Sequence, residues 1–116
     1  MLVTMSYYGA DKVVGNYNVM GPVKAALEAS ARYMAAELGP KGIRVFAVSP
    51  GPLKTRAASG IAHFDELVEM AQSRAPAQRL VDIAEVGRVV AFLVGPASSG
   101  MTGDTIYIDG GLHNVA

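Results

Sequence analysis

The run Ile43-Arg44-Val45-Phe46-Ala47-Val48-Ser49, cut off by Pro50-Gly51-Pro52, constrains the fold more than any other feature of the chain. Its residues are mostly apolar or β-branched with no polar alternation, so the strand it forms has two faces to cover, as strands inside parallel sheets do. Parallel neighbours need crossover helices, and the flanking sequence supplies them. From about Asn16 to Leu38 the apolar positions Met20, Val23, Leu27, Ala31, Met34 and Leu38 step by three and four, Pro22 sits early where a missing N–H is tolerated, and Gly39-Pro40 stops the helix. Phe64, Leu67, Val68 and Ala71 form a second helical stripe closed by Pro76. Asp82 and Glu85 make a capping box for a third, carrying Val86, Val89, Val90 and Leu93 and halted at Gly95-Pro96. Leu2 to Ser6 reads as a short buried strand, and Thr105 to Ile108 as a last one before the turn Asp109-Gly110-Gly111. Strand, helix, strand, helices, strand is the alternation of a doubly wound α/β sheet with right-handed crossovers.

The 116 residues suit one globular, soluble domain, and 51% hydrophobic residues are enough to give it a core. Ten Lys plus Arg against ten Asp plus Glu leave no net pull toward nucleic acid or acidic lipid. With no cysteine, disulfides and thiolate metal sites are excluded, and His63 and His113 lie apart without a ligand pattern, so no metal is expected. No stretch approaches the roughly 20 apolar residues of a membrane span, Met1 to Met5 is too short for a signal peptide, and the expected location is cytoplasmic.

Chemistry concentrates at one rim. Ligands of such sheets bind beyond the carboxyl ends of the strands. Tyr7 follows the first strand, while Tyr17 and Lys24 stand seven residues apart near the head of the first helix. Seven residues are nearly two helical turns, placing phenol and ammonium on one face about 10 Å apart. A cation beside a phenol lowers its pKa and suits it to proton transfer or oxyanion stabilisation. After the second strand, Leu53 to Ala62 lacks periodicity and reads as a functional loop. Taken singly, a tyrosine and a lysine at this spacing are more often surface residues, and Met20 and Met34 also fit a packing stripe.

The residues resemble the catalytic half of a short-chain dehydrogenase/reductase, over essentially the whole chain. Most of that superfamily separates its tyrosine and lysine by three residues, but position 21 here is Gly21 and the lysine comes at Lys24. Tyr7, then Tyr17-Asn18-Val19-Met20-Gly21, Lys24, Ser49-Pro50-Gly51-Pro52-Leu53-Lys54-Thr55 and Ala57-Ala58-Ser59-Gly60, are together similar to bacterial enoyl-acyl-carrier-protein reductases. The resemblance implies the C-terminal portion of a Rossmann-like sheet, about three strands with flanking helices. It also implies reduction of trans-2-enoyl thioesters on acyl carrier protein with NADH, by a homo-oligomer, a tetramer in the family. Tyr17 would face the thioester carbonyl, Lys24 would hold the nicotinamide ribose, and Tyr7 would be the second active-site tyrosine. Pro52, Leu53, Lys54, Thr55, Arg56 and Ala57 would follow the cofactor, Leu53 offering backbone groups to the carboxamide and Thr55 a hydroxyl to the pyrophosphate. Met20, Ala57, Ala58, Ile61 and Phe64 would meet the acyl chain. Lys54, Arg56, Arg74 and Arg79 could face an acidic carrier, or simply water, and His63 is read as a solvated loop residue.

Members of that family are longer and carry a glycine-rich strand-to-helix turn that cradles the pyrophosphate; no such turn occurs here. Residues 1–116 are therefore expected to be a single C-terminal domain lacking the dinucleotide-binding half, with the strand at Leu2 left as an apolar edge and NADH bound weakly or not at all. Two other functions stay open: another short-chain reductase acting on a 3-oxoacyl group, and a non-catalytic or oligomerisation module.

Overall fold

A computed structural model describes residues 1–116. Three parallel strands, β1 (Leu2–Met5), β2 (Val45–Pro50) and β3 (Thr105–Ile108), form a sheet in the order β1-β2-β3. Leu2 pairs with Val45 and Met5 with Val48, and on the other side Ala47 pairs with Thr105 and Pro50 with Ile108. Helix α1 (Met20–Leu38) connects β1 to β2, and α2 (Phe64–Arg74) and α3 (Ile83–Val94) connect β2 to β3.

All six residues of β2 are buried, as its unbroken apolar run requires of a central strand. Period-two alternation sends its side chains to opposite layers. Val45 and Ala47 pack against Ala31 and Ala35 of α1, while Phe46 and Val48 pack against Val86 and Leu93 of α3 together with Ile106 and Ile108 of β3. Helices on both faces make the sheet doubly wound, as expected. The capping box at the start of α3 is present: Asp82 Oδ1 accepts from the Glu85 N–H at 2.7 Å and Glu85 Oε2 from the Asp82 N–H at 2.8 Å.

Three expectations need correction. Strand β1 is not buried as its composition suggests: Leu2, Val3 and Met5 are 36–45% exposed, because β1 is the apolar edge strand that the resemblance implies, paired only to β2. Helix α1 begins at Met20 rather than near Asn16. Asn16 and Asn18 both adopt left-handed backbone (φ 64° and 54°), a conformation Asn tolerates and a helix cannot continue through, so Tyr17 lies in the preceding turn. The buried face of α1 is not the expected stripe of large residues. Small Ala31 and Ala35 seat the helix against β2, and Met20, Val23 and Met34 remain exposed.

Arg44, just before β2, ties the opposite layer together. Its guanidinium donates to the carbonyls of Leu93 (2.5 Å), Ser98 (2.9 Å) and Met101 (3.3 Å) and to Ser98 Oγ (3.2 Å), and lies 5.5 Å from the centre of the Phe46 ring. It thus caps the last turn of α3, where a cation also meets the negative end of the helix dipole.

Candidate active site

At the carboxyl rim of the sheet a cleft of about 320 Å³ opens between the end of β1, the start of α1 and the segment joining β2 to α2. Ser6, Tyr7, Tyr17, Met20 and Lys24 line one side, and Gly51, Pro52, Ala57, Ala58, Gly60, Ile61, Phe64 and Leu67 the other. Tyr17 and Lys24 share this cleft even though Tyr17 lies in the turn before α1 and not in the helix.

Two close approaches fix that turn. A Cβ on Gly9 would sit 2.6 Å from the Tyr17 ring, so the ring occupies space that only glycine leaves free. A Cβ on Gly21 would stand 3.0 Å from the Gly9 carbonyl oxygen. That contact gives a physical reason why position 21 holds glycine and the lysine comes one turn later, at Lys24.

The tyrosines form a cluster. Tyr7 and Tyr17 rings lie 5.2 Å apart at 60°, and Tyr7 and Tyr8 4.9 Å apart nearly edge-on. The hydroxyl of Tyr8 reaches Met70 Sδ at 3.9 Å, a weak bond that belongs to the core. The Tyr7 hydroxyl is buried with the Tyr8 hydroxyl beside it but no well-formed hydrogen bond, and Ser49 Oγ on β2 is buried without a partner. Burial raises the pKa of both Tyr7 and Tyr17. The expectation of a phenol acidified by a neighbouring cation is therefore replaced by two neutral phenols that keep their protons at pH 7. The Lys24 ammonium gives one hydrogen bond to the Met5 carbonyl at 2.8 Å; an ammonium has three donors.

Of the residues singled out from the sequence, Tyr7, Tyr17, Lys24, Met20, Pro52, Ala57, Ala58, Ile61 and Phe64 all line the cleft. Leu53 and Lys54 instead border an adjoining groove with Pro52 and residues 80–84. Thr55 and Arg56 are exposed beside the cleft, and Thr55 Oγ1 accepts from the Ala58 N–H at 3.1 Å, holding the 3-10 turn Ala58–Gly60. Arg79 is engaged with Glu85 (3.0 and 2.6 Å) and Arg74 with the Ala116 carbonyl, which leaves Lys54 and Arg56 as the exposed cations nearest the cleft. His63 is exposed, 3.5 Å from Glu66. Sequence reasoning gave no site role to Ser6, Gly51 or Leu67. Ser6 was readable only as a strand end, because its partner, Glu28 Oε1 at 2.6 Å, lies 22 residues away. No helix is long and apolar enough to cross a membrane.

A model of the enoyl-(acyl carrier protein) reductase family matches residues 1–113. The chain is similar to the enoyl-[acyl-carrier-protein] reductase [NADH] 1 of Rhizobium meliloti, 51% identical over 114 residues that cover 98% of this chain and 42% of the relative. It is 45% identical, over 98% of its length and 44% of the relative, to the enoyl-[acyl-carrier-protein] reductase [NADPH] FabI of Staphylococcus aureus. Among solved structures, the Bacillus cereus enoyl-acyl carrier protein reductase with NADP+ and indole naphthyridinone superposes with a TM-score of 0.94 at 43% identity, covering 98% of this chain and 44% of that one. The chain spans less than half the length of the curated relatives it matches.

Proposed function

The chain belongs to the enoyl-(acyl carrier protein) reductase family, and on that premise we propose that it is the catalytic, C-terminal half of an enzyme that reduces the trans-2 double bond of enoyl thioesters carried on acyl carrier protein, with NADH, in fatty-acid synthesis. The observation that carries the proposal is the convergence of Tyr7, Tyr17 and Lys24 on one cleft beyond the carboxyl ends of the strands.

The residues present fit one end of the cofactor. At about 320 Å³ the cleft lies near the small end of the roughly 300–1,000 Å³ range of ligand sites, room for a nicotinamide and its ribose beside a short acyl group but not for a whole dinucleotide. When bound, a reduced nicotinamide supplies the hydride that reaches the β-carbon. Tyr17, neutral because buried, donates a hydrogen bond to the thioester carbonyl oxygen as negative charge builds there, a contribution of about 3 kcal/mol for one well-placed donor. Tyr7 holds a second proton beside it, for substrate placement or for protonation. Lys24 directs its remaining donors to the ribose hydroxyls. Met20, Ala57, Ala58, Ile61 and Phe64 exclude water around the acyl chain. Pro52 to Ala57 follow the carboxamide and pyrophosphate; Thr55 Oγ1, which accepts from Ala58, still has its own proton to give to a phosphate oxygen. The exposed α1 residues Val23, Tyr33 and Met34 support a homo-oligomer, which sedimentation would reveal as a mass several times 12.1 kDa.

The test is turnover. The chain joined to the remaining residues of the Rhizobium meliloti relative is expected to oxidise NADH with crotonyl thioesters, faster when the acyl group rides on carrier protein than on coenzyme A. Tyr17→Phe in the same protein is expected to lower kcat by about 100-fold or more. A folded protein that prefers a 3-oxoacyl thioester, or turns over neither substrate, would refute the proposal.

A further inference from the structure

Lys24 and Glu28 stand one helical turn apart on α1, where opposite charges commonly pair with each other. Here they do not. Each reaches across to the end of β1 instead, Lys24 Nζ to the Met5 carbonyl at 2.8 Å and Glu28 Oε1 to the hydroxyl of the very next residue, Ser6, at 2.6 Å. The second is a short, charge-assisted bond, and Ser6 is only 5% exposed while lining the cleft. Strand β1 needs such a fastening. Leu2 and Ser6 give their N–H groups to β2, so Val3 and Met5 direct their backbone groups to the unpaired edge, and no strand holds the Met5 carbonyl.

We infer that the Ser6–Glu28 hydrogen bond is a positioning device for Lys24: it fixes the end of β1 against α1, so that the Met5 carbonyl takes one ammonium proton and the other two are directed into the cleft for the hydroxyls of a nicotinamide ribose. The ribose part rests on the proposed function; the clip itself does not. Ser6 and Glu28 act through Lys24 and touch no reacting atom. Removing either partner leaves the carbonyl on a fraying edge and the long lysine side chain free to leave the cleft.

The test uses the full 116-residue chain, isotope-labelled, with the Lys24 ammonium followed by NMR at low temperature and reduced nicotinamide mononucleotide as the titrated probe. Ser6→Ala and Glu28→Ala are expected to abolish the slowly exchanging Lys24 ammonium signal and to raise the Kd of the probe fivefold or more. Ser6→Thr and Glu28→Gln, which keep a donor and an acceptor, are expected to retain the signal and stay within twofold of the unchanged chain, a rescue that general loss of packing would not produce. If Ser6→Ala does not fold, the contrast between Glu28→Ala and Glu28→Gln decides, since Glu28 is half-buried on the helix surface. Retention of signal and affinity in both alanine variants would overturn the inference. Unchanged probe affinity in Lys24→Met would refute the ribose assignment alone, and the ammonium signal would still judge the clip.

Discussion

The buried side-chain polar groups that lack a partner lie at one end of the sheet only. At the amino end, Arg44 directs its donors to three carbonyls and a hydroxyl, and Ser98, fully buried, accepts from Arg44 and gives its own proton to the carbonyls of Phe92, Leu93 and Gly95 around the end of α3. At the carboxyl end, the Tyr7 and Ser49 hydroxyls are buried with no partner and the Lys24 ammonium makes one bond. The core between them is the same in kind, small and branched apolar residues on both faces of β2. Satisfied polar groups hold an architecture, whereas unsatisfied buried ones call for an explanation, and Tyr7, which lines the cleft, has one under the proposed function.

Breaking the satisfied end should have the largest effect. Arg44→Met is expected to lower the free energy of unfolding by about 3 kcal/mol, measured by urea denaturation, because the carbonyls of Leu93, Ser98 and Met101 lose a charged donor while partly buried. It is expected to leave the tyrosine cluster in place. Gly9→Ala should act at the other end, at about 2 kcal/mol, since the new methyl group collides with the Tyr17 ring. Its signature is a changed near-ultraviolet circular dichroism of the tyrosines, with far-ultraviolet helix content unchanged.

Alkaline titration sharpens the contrast without any substitution. Burial raises the pKa of Tyr7 and Tyr17 above the ordinary value of 10.0. Their folded pKa values exceed the unfolded one, so the stabilisation they contribute is complete below pH 10 and is lost as pH rises from there through the folded values. Phenolate absorbance from these two residues should therefore appear late and together with loss of structure. Early ionisation in a chain that stays folded would place them in solvent.

How legible this was depended on the range of the interaction. Strand β3, the start of α3 with Asp82 and Glu85, and the buried run of β2 all follow from neighbours within a few residues; β3 and the start of α3 lie where the pattern puts them, while β2 runs from Val45 through Pro50 rather than from Ile43 to Ser49. The apolar stripe itself begins at Met20, where α1 starts; nothing periodic marks the preceding residues as non-helical, and two left-handed asparagines keep them out of the helix. The composition of β1 suggests burial while the family resemblance implies an apolar edge, and the edge is what the structure has, since burial needs a neighbour on each side and β1 has one. Tyr7, Tyr17, Lys24 and the Ala57–Phe64 segment were found because a family resemblance joins positions that spacing cannot. The contacts that orient them, Ser6 with Glu28 and Gly9 with Tyr17, and the Arg44 hub whose partners lie 49 to 57 residues away, leave no periodic trace.

Tyr7→Phe tests most directly whether the carboxyl rim holds its polar groups for a ligand. Deleting an unpartnered buried hydroxyl is expected to raise unfolding stability by about 1 kcal/mol in urea, while turnover of crotonyl thioester in the joined enzyme falls tenfold or more. A variant that loses stability and keeps full turnover would mean that the hydroxyl serves the fold, and the contrast between the two ends of the sheet would fail.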